Sequence, residues 1–150
     1  VLFRSLNFAN ALPAFLPLQA AALTQLAIEL GRTAQVKAML EAYQSEAPSL
    51  DVLEALVAID QAQGQAHAQE RYAHYLQKEP SMVAARQWLA QEPLQHEAHR
   101  HWLDRALERA VLPLKRYRCA ACGFEAQRHF WQCPGCQAWD SYPPRRVEEL

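Results

Sequence analysis

The sequence predicts a mainly α-helical protein, in which a solenoid of helical repeats is followed by a small β module that depends on a metal ion. Three observations support this fold class. Leu6 to about Val111 is rich in Ala, Leu, Gln and Glu, which together favour helices. Breaks marked by Gly and Pro recur at a nearly constant interval in that stretch. All four cysteines of the 150-residue chain lie beyond it, in two close pairs.

The first region contains several series of apolar residues at helical spacing. Val36, Met39, Leu40 and Tyr43 form one of them, as expected for an amphipathic helix with one buried face. Ser49 stands where the N-cap of a further helix is expected. The predicted helices span residues 13–30, 33–46, 50–63, 66–79, 81–91 and 95–111.

The breaks between these helices repeat along the chain. Gly31 and Gly64 are 33 residues apart, and Pro48 and Pro80 are 32 residues apart. A helix, a Gly turn, a second helix and a Pro-marked end, at a period of about 34 residues, are typical of tetratricopeptide repeats. The pattern indicates two repeats and a third, degenerate one from Met82 to Val111. Such repeats stack into a superhelix, whose concave face usually holds a protein partner.

The cysteines form two CxxC pairs separated by ten residues, and they are Cys119, Cys122, Cys133 and Cys136. This spacing suits one tetrahedral metal site with four thiolate ligands. Two disulfides are the alternative, but a doubled CxxC in an intracellular chain more often binds metal. A thioredoxin-like pair would need a single CxxC beside a βαβ pattern, and none is visible. Four thiolates suit either iron or zinc, so one ion of either metal is predicted.

The segment around the cysteines is too short to fold on apolar burial alone, so metal binding is expected to supply much of its folding free energy. We therefore assign residues 6–112 to the repeats and residues 114–150 to the metal module. A few short antiparallel strands are expected in the module. A small core around the metal is the simpler interpretation of its aromatic residues than a base-stacking surface. These residues are Tyr117, Phe124, Phe130, Trp131, Trp139 and Tyr142.

The composition argues against several other classes of protein. Lys plus Arg is 15 and Asp plus Glu is 16, and a nearly neutral chain is a poor non-specific binder of nucleic acid. No run of about 18 apolar residues or secretory signal is visible, so no membrane-spanning helix is expected within this chain. It lacks an initiator Met, and the first helix begins abruptly, so a C-terminal fragment of a longer protein is expected.

No catalytic constellation is visible, and an enzyme is not predicted. Glu41 and Asp60 lie singly on helices, and no nucleotide-binding or Ser–His–Asp signature appears. His96, His99 and His101 cluster, but their spacing is not that of a zinc protease, and we expect them on a helix surface.

The sequence around the cysteines resembles a known family. The motifs YRCxxCGF at 117–124 and FWxCPxCxxW at 130–139 are similar to the rubredoxin-type metal-binding domain of the lipopolysaccharide assembly protein B family. That family places this domain directly after tetratricopeptide repeats, as here. The resemblance lies in motifs from Tyr117 to about Pro144 and in architecture alone from Leu6 to Val111. It implies that the four cysteines are the metal ligands.

The resemblance also implies a function. Family members are non-enzymatic regulators at the cytoplasmic face of the bacterial inner membrane, where they hold down lipopolysaccharide synthesis. They present the deacetylase of the lipid A pathway to a membrane-bound ATP-dependent protease, and other lipopolysaccharide assembly proteins are expected partners. The family protein is anchored by an N-terminal membrane helix that this chain lacks, so a soluble fragment that contacts no membrane and no nucleic acid is expected.

Two other functions of a rubredoxin-like or zinc-ribbon module remain open. The first is electron transfer, but the gap between the pairs is shorter than in true rubredoxins, and Gln137 replaces the Gly expected after the fourth cysteine. The second is nucleic-acid binding by a zinc ribbon. Residues 114–150 contain six basic and four acidic residues, six minus four giving an excess of only two positive charges, which argues against it.

Overall fold

The computed structural model describes residues 13–93 and 97–150, which contain six α-helices and two short strands. The helices are α1 Leu16–Glu29, α2 Thr33–Glu46, α3 Leu50–Ala62, α4 Ala68–Lys78, α5 Met82–Leu89 and α6 Glu97–Val111. A 3₁₀ turn at Pro13–Phe15 precedes α1. The mainly α prediction is confirmed, and the predicted helix ends agree with the observed ones to within three residues wherever they lie in the described ranges. The predicted start of the repeats at Leu6 and the predicted start of the last helix at residue 95 lie outside these ranges.

The chain divides into two compact units at the junction of Glu79 and Pro80. In the first unit, α1 packs along α3, α2 packs against both α1 and α3, and α4 packs on α3. Consecutive helical pairs stack in this way in tetratricopeptide repeats. The core consists of apolar side chains from α1, α2 and α3, among them Leu23, Leu40, Leu56 and Ile59. The first unit therefore has a core of its own, and full burial of each such side chain stabilises the fold by about 1.5–3 kcal/mol.

The two glycines that mark the repeat end their helices in the same way. Gly31 has φ 64° and Gly64 has φ 70°, as the left-handed residue of a Schellman motif requires. In both turns, the residue after the glycine donates its N–H to a carbonyl five residues earlier. These bonds run from Arg32 to Ala27 at 2.8 Å and from Gln65 to Asp60 at 2.8 Å. The predicted repeat breaks are therefore real helix ends.

The two serines that precede helices differ in how they cap them. Ser49 is the N-cap residue of α3, as predicted, but in the described structure its side chain forms no capping hydrogen bond. Ser81, the N-cap residue of α5, accepts the N–H of Ala84 with its hydroxyl oxygen at 2.9 Å. A cap position can thus be predicted from sequence, while the bond depends on the side-chain conformation.

A buried carboxylate connects three helices of the first unit. Asp60 on α3 is fully buried, and its Oδ1 lies 2.7 Å from Nζ of Lys37 on α2. Arg71 on α4 pairs with Asp60 and, at 2.9 Å, with Glu41. Burial raises the pKa of Asp60, but the hydrogen bonds and charges of Arg71 and Lys37 outweigh it and hold that pKa below its usual range. Glu41 and Asp60, which sequence placed singly, therefore belong to one ion network with a structural role.

The second unit contains the last helical pair and the cysteine module. α5 packs against α6. The module has one antiparallel pair of strands, β1 Tyr117–Arg118 and β2 Glu125–Ala126, with Tyr117 opposite Ala126. An isolated bridge joins Gln132 and Trp139, and the 3₁₀ turn Val147–Glu149 lies near the C-terminus. Among the described helices, none is long and apolar enough to span a lipid bilayer.

Candidate metal centre

The four cysteine side chains converge on one point. Their sulfur atoms all lie within 4.8 Å of one another. Sγ of Cys119 lies 3.8 Å from that of Cys136, and Sγ of Cys122 lies 3.6 Å from that of Cys133. A disulfide would bring two sulfurs to about 2.05 Å, whereas four ligands at about 2.3 Å from one ion stand about 3.8 Å apart in a tetrahedron. The thiols are therefore free, and their arrangement fits a tetrahedral metal ion.

Each CxxC pair lies in a tight turn, and the two turns share one hydrogen-bond pattern. In the first, Gly123 donates its N–H to the Cys119 carbonyl at 2.8 Å, and Cys119 donates to the Phe124 carbonyl at 3.0 Å. The second repeats these bonds at equivalent positions, from Gln137 to Cys133 at 2.9 Å and from Cys133 to Ala138 at 2.9 Å. The backbone therefore forms two similar knuckles, which direct both sulfurs of each pair to the shared centre.

The residue after the second cysteine of each knuckle has a left-handed conformation. Gly123 has φ 76°, and Gln137 has φ 61°. Only glycine adopts this conformation without steric cost. The departure of Gln137 from the rubredoxin pattern therefore leaves the knuckle intact but strains its backbone.

Neighbouring polar groups favour the thiolate form of two cysteines. The Ser141 hydroxyl, 3.2 Å from Cys119, lowers the pKa of that thiol to about 6, and the N–H groups of Cys122 and Ala121 add to the shift. Burial raises the pKa of Cys133, but backbone N–H groups, including that of Gly135 at 3.4 Å, outweigh it and lower the pKa. The negative charge of these two thiolates is thus stabilised at the point where a metal cation would bind.

Cys122 shows the opposite effect. The N–H of Phe124 lowers its pKa, but the neighbouring cysteine sulfurs and burial outweigh that bond and raise the pKa to about 12. Four thiolates within 4.8 Å of one another repel one another. A metal cation would remove this repulsion and deprotonate the remaining thiols. The donor set therefore fits a bound metal ion of charge two or more.

Some of the module's aromatic residues form a small core beside the sulfurs. Tyr117 and Tyr142 are buried, and the Tyr142 hydroxyl donates to the Phe124 carbonyl at 3.1 Å and lies 3.9 Å from Cys133 Sγ. Burial and the nearby cysteines raise the pKa of Tyr142 to about 12, so its hydroxyl stays neutral and remains a donor. Phe130 packs beside Tyr142, with ring centroids 6.2 Å apart.

The prediction of a core around the metal is wrong for the other three rings. Phe124 is 45% exposed, Trp131 50% and Trp139 68%. So small a module encloses few rings, and these three remain at the surface of the second unit.

His129 is the residue of the module that sequence reasoning missed. Its ring is partly buried beside those of Tyr117, Trp131 and Tyr142. Its Nε2 donates to the Tyr142 carbonyl at 3.0 Å. The density of aromatic residues on both sides of His129 in sequence was the available signal for this packing.

Among the histidine side chains that the structure describes, none lies in the ligand group of this centre. His96 lies outside the described residues, and so does the side chain of His99. His101 is exposed on α6, with its ring 4.4 Å from that of Trp102. In residues 13–93 and 97–150, the four cysteines are the group of His, Cys, Asp and Glu side chains placed closely enough to hold a metal ion.

Comparison with known proteins agrees with this geometry. Residues 117–144 match the family model of a rubredoxin metal-binding domain. The chain is 30% identical to lipopolysaccharide assembly protein B of Escherichia coli K12 over 125 residues, which are 79% of this chain and 32% of that protein. The chain is therefore similar in sequence to lipopolysaccharide assembly protein B over most of its own length. Lipopolysaccharide assembly protein B of Haemophilus influenzae Rd is 25% identical over 96 residues, 61% of this chain and 24% of that protein. The chain spans about a third of the length of the E. coli lipopolysaccharide assembly protein B and a smaller part of the H. influenzae protein.

Proposed function

We propose that this chain is part of a non-enzymatic adaptor in lipopolysaccharide assembly. Residues 6–112 would act as helical repeats that hold protein partners, and residues 114–150 as the metal module. The convergence of four free thiols at tetrahedral spacing, in a chain related to lipopolysaccharide assembly protein B, carries this proposal. The partners we propose are the lipid A pathway deacetylase, a membrane-bound ATP-dependent protease and other lipopolysaccharide assembly proteins. The place of action would be the cytoplasmic face of the bacterial inner membrane.

The metal in this proposal is structural. Cys119, Cys122, Cys133 and Cys136 would hold one ion of iron or zinc. Four thiolates fill a tetrahedron and leave no position for a substrate or a water, unlike catalytic zinc sites with three protein ligands. The module's own small core of Tyr117, Phe130 and Tyr142 agrees with this role, because a domain of this size needs a metal or a partner to stay folded.

The proposed adaptor function can be tested in cells that produce the full-length protein. Replacing both Cys119 and Cys122 by Ser should slow degradation of the deacetylase, so that it accumulates. Gln137→Gly is the matched control, because it alters the same module but keeps every ligand and should leave deacetylase turnover unchanged. Normal turnover in the double cysteine variant, with that protein at its usual level, would exclude the metal module from the mechanism.

Electron transfer is the second candidate, and one observation favours it. Cys122 and Cys136 are exposed, so an ion held there would lie close to the surface, where electron exchange is possible. A visible spectrum that disappears on reduction and returns on oxidation would support this function.

The zinc-ribbon alternative, nucleic-acid binding, has less support, because Arg116 and Arg118 both pair with Glu125. Nucleic-acid binding would be supported by a shift in the mobility of RNA or DNA that depends on the salt concentration.

A further inference from the structure

The C-terminal turn of the chain caps a helix that lies more than sixty residues earlier in sequence. The Glu148 carboxylate accepts the N–H of Met82 and, at 3.2 Å, the N–H of Val83. It also accepts the hydroxyl of Ser81 at 2.8 Å. The first N–H groups of a helix have no partner within it, and the helix dipole favours a negative charge there. Glu148 therefore supplies both the acceptors and the charge that the start of α5 needs.

The same turn is bound to the chain that leads into the metal module. Two backbone bonds and one side-chain bond join residues 146–148 to residues 114–116. They run from Val147 N–H to the Arg116 carbonyl at 2.7 Å, from Glu148 N–H to the Leu114 carbonyl at 3.3 Å and from Arg146 Nη1 to the Lys115 carbonyl at 3.2 Å. The guanidinium of Arg146 also lies over the Tyr117 ring, 5.7 Å from its centroid. Residues 146–150, which we call the C-terminal clasp, thus rest on the entry to β1.

The position of β1 depends on the cysteine centre. Cys119 follows directly after β1, and its N–H and carbonyl are both held within the first knuckle. The ring of Tyr117 packs edge-on against His129, 5.8 Å away, inside the module's core. Loss of the metal would release this core and strand, because the module is too small to fold without it. The C-terminal clasp would then also lose its contacts with the chain that leads into β1.

We propose that the C-terminal clasp makes the start of α5 depend on the metal state of the cysteine centre. α5 has eight residues, and so short a helix is marginal unless its ends are capped. With metal bound, Glu148 holds the first turn of α5. When the metal is lost, the Glu148 carboxylate no longer accepts the N–H groups at the start of α5. The first turn of α5 then opens, and the packing of α5 against α6 loosens. Metal loading therefore regulates the helical surface itself, an effect that goes beyond the adaptor function proposed above.

Amide hydrogen exchange of the whole chain tests this coupling. Zinc-loaded protein is compared with protein treated with a chelator under reducing conditions, and each is compared with Glu148→Gln. We expect exchange at Met82 and Val83 to become about tenfold faster in Glu148→Gln, the effect of losing one charge-assisted capping contact. Chelation should accelerate the same amides to a similar degree. In Glu148→Gln, chelation should add little at these two positions, because the contact is already gone.

Two controls make the result specific. Glu79→Gln removes an exposed carboxylate close to the start of α5 that forms no hydrogen bond with Met82 or Val83 in the described structure, so it should leave their exchange unchanged. Amides in α3, such as that of Leu56, report on the first unit and should also stay slow.

Three results would overturn the coupling. The first is normal exchange at Met82 and Val83 in Glu148→Gln. The second is faster exchange in β1 on chelation with no change at Met82 and Val83. The third is an equal acceleration by chelation in Glu148→Gln and in the unaltered chain, or one that extends uniformly into α3. Because no partner protein is present in this experiment, its outcome is independent of whether the adaptor function holds.

Discussion

At the residue scale, the two knuckles of the metal centre differ in one position that matters for stability. Gly123 and Gln137 occupy equivalent places and have similar positive φ values, 76° and 61°. A Cβ added at Gly123 would meet no heavy atom within 4 Å, so a side chain there costs backbone energy alone. Gln137 already bears that cost, which is about 1 kcal/mol for a non-glycine residue in the left-handed region.

Reciprocal substitutions at these positions should therefore have opposite effects. We expect Gln137→Gly to stabilise the metal-loaded protein by about 1 kcal/mol and Gly123→Ala to destabilise it by about the same amount. Thermal unfolding of the second unit, followed by Trp fluorescence at fixed metal concentration, measures both. A destabilising Gln137→Gly would show that the glutamine side chain contributes more than its backbone conformation costs.

At the scale of the secondary-structure elements, the Asp60 network determines how α2, α3 and α4 fit together. Helix periodicity places Lys37, Asp60 and Arg71 on three separate helices, and only their packing brings the charges together. Removing this buried carboxylate is costly, because Lys37 would lose its carboxylate partner and Arg71 would lose one of its two in a partly buried site.

We expect Asp60→Asn to destabilise the first unit by about 3 kcal/mol at pH 7. Folding lowers the pKa of Asp60 below its unfolded value of about 3.9, so the ion pairs contribute fully above that pH. Their contribution is lost as the pH falls through the lowered pKa of the folded state. Urea unfolding at pH 7 and at about pH 3 should therefore show a smaller difference between the variant and the unaltered chain at the acidic pH.

Glu41→Gln is the matched control for this prediction. Glu41 pairs with the same arginine, but its side chain is 47% exposed, so its loss should cost less than about 1 kcal/mol. A cost at Glu41 equal to that at Asp60, or a cost at Asp60 that does not change with pH, would mean that burial of the charge is not what makes the network strong.

At the scale of the whole molecule, the two compact units should respond differently to loss of the metal. The first unit has an apolar core contributed by α1, α2 and α3, and none of its core residues is a metal ligand. The second unit depends on the cysteine centre for its module. The metal should therefore stabilise one unit and leave the other nearly unaffected.

Cys133→Ser tests this difference. The unaltered chain should bind one equivalent of metal, whereas the variant should retain less than about a tenth of an equivalent and lose the module's fold. Far-ultraviolet circular dichroism should keep most of its helical signal, while Trp131 and Trp139 fluorescence changes. Elemental analysis and the two spectra are measured on the same sample. Loss of most helicity would show that the first unit needs the module in order to fold.

Much of this architecture was predictable because it depends on residues close together in sequence. Helices α1 to α5 follow from apolar spacing within a few turns, and the breaks at Gly31 and Gly64 from local turn chemistry. The convergence of the four sulfurs was predictable for the same reason, since each CxxC knuckle is a local structure. The exposure of Trp131 and Trp139 was not, because burial depends on what the rest of the fold can cover.

By itself, then, the sequence determined the helical class, the repeat, the position of the metal module and its four thiols. The tertiary structure alone decided the pairing of Asp60 with Lys37 and Arg71 and the capping of α5 by Glu148. These contacts join residues far apart in the chain, and sequence periodicity records which face of an element is apolar but not which distant side chain will meet it. Polar contacts of this kind form only once apolar packing has set the distances between elements.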